Sequence, residues 1–121
     1  MAETTLYDVN ENPVAYIADD GENSIYLWSG HAVSYINDEN IHGWNGQHLG
    51  CFADGIVYDL QGTRVGFTRK RCPVATYAEP AKYVKYAKYV RYARYAPYAR
   101  PALSVGYSNQ SLESFLQSGA V

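Results

Sequence analysis

Four segments of the chain align with one another without a gap, and this internal repeat restricts the fold more than any other feature. They are LYDVNENPVAYI from Leu6, IYLWSGHAVSYI from Ile25, IHGWNGQHLGCF from Ile41 and VYDLQGTRVGFT from Val57, with starts 19, 16 and 16 residues apart. Each reads as an apolar or aromatic stretch, a two-residue turn and a second apolar stretch. The turns are Asn10-Glu11, Ser29-Gly30, Asn45-Gly46 and Gln61-Gly62. Asn45-Gly46 is the strongest signal, because both residues of a tight two-residue turn take positive φ. Asn10-Glu11 departs from that chemistry. Residues 1–70 are therefore expected to be an all-β head of four repeated hairpins in a pseudo-four-fold arrangement. A lone hairpin is marginal in water, so the four must pack on one another or on another chain.

Within each repeat the second stretch alternates. Val14 and Tyr16, Val33 and Tyr35, Leu49 and Cys51, Val65 and Phe67 share a strand face by parity. Between them lies a column of small residues, Ala15, Ser34, Gly50 and Gly66. Glycine weakens a strand unless something must come close. The expectation is a crowded axis, with these four positions pressed together at the centre of the repeat. Trp28, Trp44 and the head tyrosines occupy repeated columns and read as packing. His31, His42 and His48 have no ligand spacing, so neither a metal site nor a cofactor is expected.

The second half has a different period. From Ala75 to Ala102 every third residue is alanine or valine. A second column is tyrosine with proline at both ends: Tyr77, Pro80, Tyr83, Tyr86, Tyr89, Tyr92, Tyr95, Tyr98 and Pro101. The third is mostly basic and includes Lys82, Lys85, Lys88, Arg91, Arg94 and Arg100. In an α-helix a period of three winds around the rod, and in a strand it scatters over both faces. Polyproline II has three residues per turn and makes each column a straight stripe, with tyrosines roughly 9.3 Å apart. Pro80, Pro97 and Pro101 fit that backbone and disfavour the main alternative, a helix over Lys82 to Ala96, with strand or disorder the remaining one. Collagen is excluded, because no glycine occurs from Cys72 to Val105. Residues 71–102 are thus expected to be an extended, polyproline-II-like tail.

Residues 103–121 read as a link and a short helix. Ser111 can cap it, Glu113 favours its positive end and Gly119 stops it. Leu112, Phe115 and Leu116 form its apolar stripe, and a helix this short needs a surface to latch onto.

Both the repeated head, with YDVNENPVAYIADDGENSIYLWSG, NIHGWNGQHLG and GIVYDLQGTRVGFT, and the period-three tail ending in SLESFL resemble the small bacterial four-fold beta-flower proteins. The resemblance spans nearly the whole chain. It implies a hairpin head followed by a triplet tail and carries no biochemical activity with it. Tyrosine stands here where those tails often carry proline.

Charge separates head from tail. From Met1 to Thr68 ten acidic side chains face the single base Arg64, whereas from Arg69 to Ala102 nine bases face Glu79 alone, within a total of −2. Such asymmetry marks an interaction tail. Two readings follow. In the first, the chain is a non-enzymatic structural protein whose basic tyrosine-rich tail docks on acidic heads and on other tails, giving a homo-oligomer or filament. In the second, the tail binds nucleic acid, with bases on phosphates and tyrosines stacked on nucleobases, although the acidic head would repel the same polyanion. Sugar or choline binding by the aromatic repeats is a weaker third. No nucleophile, base and orienting group can be placed together, so no catalytic residue and no small-molecule substrate are expected. Cys51 and Cys72 have no ligand spacing and read as thiols. Without a signal-like start or an apolar run of roughly 18 residues, no membrane contact is expected and the compartment is left open, cytoplasmic by default.

Overall fold

The computed structural model describes residues 3–69, 80–98 and 101–121. Eight antiparallel strands close into a barrel in sequence order: β1 (Thr4–Tyr7), β2 (Pro13–Ile17), β3 (Ser24–Leu27), β4 (Ala32–Asn37), β5 (Asn40–Gly43), β6 (His48–Ala53), β7 (Ile56–Asp59) and β8 (Arg64–Phe67). Consecutive pairs are the four hairpins, and the Tyr7–Phe67 pairing of β1 with β8 closes the ring. Residues 80–98 carry neither helix nor strand hydrogen bonding. One helix, α1 (Leu112–Gln117), follows, its N-cap Ser111 side chain accepting from the Ser114 N–H. Among the described residues no helix is long and apolar enough to cross a membrane.

Inside each hairpin a large apolar residue faces a small one. Leu6 pairs with Ala15, Ile25 with Ser34, Ile41 with Gly50 and Val57 with Gly66. The side chains of α1 pack beside these small partners. Gly50 and Gly66 lie close to helix side chains, and Gly50 also lies against the Tyr58 carbonyl oxygen of β7, 2.0 Å from where a Cβ would be. A Cβ on Gly50 would lie 2.9 Å from the Phe115 ring, and one on Gly66 would lie 2.8 Å from Leu112 Cδ1. Ser34 Oγ donates to the Leu116 carbonyl at 3.2 Å, and Ala15 lies in the same core cluster. Leu112, Phe115 and Leu116 are all buried there.

Two backbone details depart from simple alternation. In every hairpin the register shifts by one residue, so that Val14, Val33, Leu49 and Val65 each have no direct cross-strand partner. Such a bulge re-aims a side chain. These four residues join the core with α1, while Tyr16 and Tyr35, which parity places on their face, belong to the outer wall. The turns differ too. Gly30, Gly46 and Gly62 have positive φ and so does Glu11, but the residues before them do not. Leu27 N–H donates to the His31 carbonyl and Gly30 N–H to the Leu27 carbonyl, with the same pattern repeated at Gly43 and Asp59. The loops are thus three residues long, a type I turn closed by a left-handed residue.

A strap of cations and tyrosines around the barrel

Between neighbouring hairpins, cross-strand pairs build aromatic walls on the barrel exterior. Tyr16 pairs with Tyr26, Tyr35 with His42 and Cys51 with Tyr58. Trp28 stands edge-on to Tyr16 at 5.8 Å and Trp44 edge-on to Tyr35 at 5.7 Å, each making a three-sided box. Stacking of Tyr16 on Tyr26 at 5.6 Å completes the first.

Residues 80–98 run across these boxes with their basic column turned inward. Lys82 Nζ lies 4.5 Å from the Tyr16 ring centre and 5.5 Å from that of Trp28, while Lys85 Nζ lies 5.3 Å from Tyr26. Arg91 sits 4.2 Å over Tyr35 and 5.5 Å from Trp44, with Arg94 6.0 Å from Tyr35. Carboxylates hold the same cations. Glu3 takes Lys82 at 2.9 Å and Lys85 at 2.6 Å; Lys88 takes Asp20 at 2.9 Å and Glu22 at 2.8 Å; Arg91 reaches Glu22 at 3.4 Å. Burial opposes the charge on Asp20, but hydrogen bonds from Lys88 and the Glu22 and Ser24 amides hold its carboxyl well below the ordinary range. Glu22 and Asp20 in turn raise the Lys88 ammonium. Exposed ion pairs are individually weak, about 0.2–1 kcal/mol each, so the cation–ring contacts and backbone bonds share the work of holding the strap.

The backbone bonds fix its register. Tyr86 N–H donates to the Gly30 carbonyl, Tyr95 N–H to that of Gly46 and Ser104 N–H to that of Gly62, at 2.8–3.0 Å. Tyr83 and Tyr92 donate to the Trp28 and Trp44 carbonyls. Each step along the strap is nine residues, three triplets, for one sixteen-residue hairpin. Close approach is what the turn glycines permit: a Cβ on Gly30, Gly46 or Gly62 would fall 2.2–2.3 Å from the carbonyl oxygen of Val84, Ala93 or Ala102. The strap changes chemistry where the wall does. Leu103 occupies the step of Lys85 and Arg94, and it packs on the cluster of Cys51 and Tyr58. Arg100 lies outside the described residues, as do Cys72 and the preceding triplets.

The tyrosine column faces outward. Tyr83, Tyr86, Tyr89, Tyr92, Tyr95 and Tyr98 are 59–69% exposed, and Val84 and Val90 are 88% exposed. Sequence columns alone assign each residue to a stripe without saying which stripe meets the head. Charge complementarity was the usable signal for the cations; nothing local marks Gly30, Gly46 and Gly62 as docking points for a backbone 56, 49 and 42 residues further on.

His48 ties strap to barrel in a pH-sensitive manner. Its Nδ1 accepts from the Tyr98 N–H at 2.9 Å, which leaves the proton on Nε2 facing the Gly50 carbonyl at 2.9 Å. Burial lowers the affinity of His48 for a second proton, and burial together with the neighbouring His48 does the same to His42. A group depressed in the fold binds fewer protons there than in the unfolded chain, so stability is full above the ordinary value of 6.5 and is lost as pH falls below it. The Tyr98 amide resonance is expected to move toward its unanchored position only as pH falls below 6.5, through the depressed His48 value, while the Tyr86 amide stays put. A flat Tyr98 signal across that range would refute the role of Nδ1. Among the described residues no three potential ligands cluster for a metal ion.

A closed barrel of four like hairpins around an occupied axis defines a class, a four-fold repeated β flower. The family model described as 4-fold beta flower protein matches residues 4–116, and the chain belongs to that family. The description names an architecture and no activity. No curated protein and no solved structure matches the chain.

Proposed function

We propose that the protein is a non-enzymatic structural module that associates with copies of itself through the tyrosine ridge of its strap. One observation carries the reading: the strap turns its cations in, onto rings and carboxylates of the barrel, and its tyrosines out. A row of exposed aromatic and valine side chains this long is a surface for another protein. Successive tyrosines of one ridge are too far apart to stack on each other, so a second ridge can interleave with the first. The pairing of these cations with head carboxylates counts against a polyanion groove, which needs its bases unpaired, and choline-type ligands are disfavoured because Lys82 and Lys85 fill the first aromatic box and Arg91 the second.

The mass of the full chain in solution, measured at about 150 mM salt with and without an oligonucleotide, tests this. The expected result is a species larger than one chain that ignores the oligonucleotide. Replacing Tyr83, Tyr89 and Tyr92 by serine keeps every backbone anchor and is expected to shift the mass to a single chain. A monomer that binds the oligonucleotide would overturn self-association in favour of the polyanion reading.

A further inference from the structure

The column of the barrel that faces the strap changes chemistry at its last member. Trp28, Trp44 and Leu60 occupy the same column of successive repeats. At the second of these the indole closes against the strap, and Trp44 Nε1 donates to the Tyr89 carbonyl. Nine residues further on, the equivalent carbonyl is that of Tyr98, and the residue facing it from the column is Leu60, which cannot donate. A cleft of about 380 Å³ lies there, lined by Gln47, His48, Leu60, Tyr95, Ala96 and Tyr98. His48 and Tyr98 are already stacked at 5.8 Å along its side, and Leu60 is 39% exposed toward it. A second cleft of about 320 Å³, running toward Phe115 and Ser118, shares Gln47, His48 and Leu60 with the first.

We propose that the Leu60 cleft is a binding site for a small planar aromatic ligand of indole size with an N–H donor. The rest of the molecule shows which group suits the position: one step back, an indole satisfies the strap carbonyl and packs against the wall. In the Leu60 cleft the ring would lie between Leu60 and the Tyr95–Tyr98 strap, its N–H directed to the Tyr98 carbonyl. Gln47, which lines the same cleft, would serve a second polar group of the ligand. The four repeats hold Val9, Trp28, Trp44 and Leu60 in this column; of the two indoles that of Trp44 bonds to a strap carbonyl, whereas the buried Trp28 Nε1 has no hydrogen-bond partner among the described residues.

Titration of the full chain with indole, followed by amide NMR, tests the site. Saturable shifts are expected at Gln47, Leu60, Tyr95 and Tyr98, and not at Tyr83 to Tyr89. Leu60→Trp fills the cleft with the chain's own ring. It is expected to weaken indole binding at least tenfold and to raise Tm by roughly 3 °C or more, in line with a gain near 1 kcal/mol for a chain of this size. Leu60→Ala keeps the cleft open and is expected to retain binding, which covers the case of a poorly folded tryptophan variant. Shifts spread over all the strap tyrosines would overturn the proposal. So would unchanged affinity in Leu60→Trp. If indole does not saturate the cleft while Leu60→Trp lowers the mass in solution, the occupant is an aromatic side chain of a second copy, and the small-ligand proposal falls.

Discussion

Phe115→Ala is expected to be among the most damaging single substitutions in the chain, costing about 3–5 kcal/mol, or a fall in Tm of roughly 10–20 °C. The ring is 3% exposed and sits in the core cluster with Leu112 and Leu116. Its importance follows from what surrounds it. The barrel lines its interior with small residues opposite each large one, so the wall cannot close over a missing ring without steric rearrangement. A six-residue helix has no stability of its own, and loosening its central side chain loosens the whole plug. Gln117→Ala, on the exposed side of α1, is the control and is expected to change stability by no more than about 0.5 kcal/mol. Urea melts of both variants decide the matter. Equal and small effects would mean that the barrel core stands without α1.

Gly46→Ala carries the second large effect, and its size is expected to come from two sources that a control separates. Gly46 has φ +92°, which disfavours any side chain by about 1–2 kcal/mol. In addition, a Cβ there would lie 2.3 Å from the Ala93 carbonyl oxygen, where the partner is backbone. Gly21 has φ +80° with nothing within 4 Å of a Cβ, so Gly21→Ala measures the conformational cost alone. Gly46→Ala is expected to cost about 2–4 kcal/mol and to strip hydrogen-exchange protection from the Tyr95 amide, which donates to the Gly46 carbonyl. Protection at Tyr86, one hairpin back, is expected to survive. If the two alanine variants behave alike and Tyr95 stays protected, the strap is not seated on the turn.

Parts of this architecture are written plainly in the residues. Gapless repetition of an apolar–turn–apolar unit carries the hairpins, because period-two burial and a turn residue able to take positive φ are local requirements. Leu112, Phe115 and Leu116 stand out at helical spacing for the same reason. Other parts are hidden by the same locality. Parity assigns Val33 to the face of Tyr35, and only the bulge, which depends on how β3 and β4 pair, brings Val33 to the core. Asn45-Gly46 reads as a two-residue turn, yet the loop is three residues long, since the strand pairing decides where the turn begins.

The repeat at Leu6, Ile25, Ile41 and Val57, with its small cross-strand partners, was enough by itself to determine a four-hairpin β protein, and the triplet columns were enough to determine three chemically distinct stripes. Tertiary structure alone decided that α1 fills the space beside Gly50 and Gly66, that the cations face inward, and that nine strap residues match one hairpin. The physical reason is distance. A local pattern records which residues can share a face, but the spacing of Gly30, Gly46 and Gly62 around the rim is set by closure of the eight-stranded ring, and only that spacing selects the strap residues that meet them.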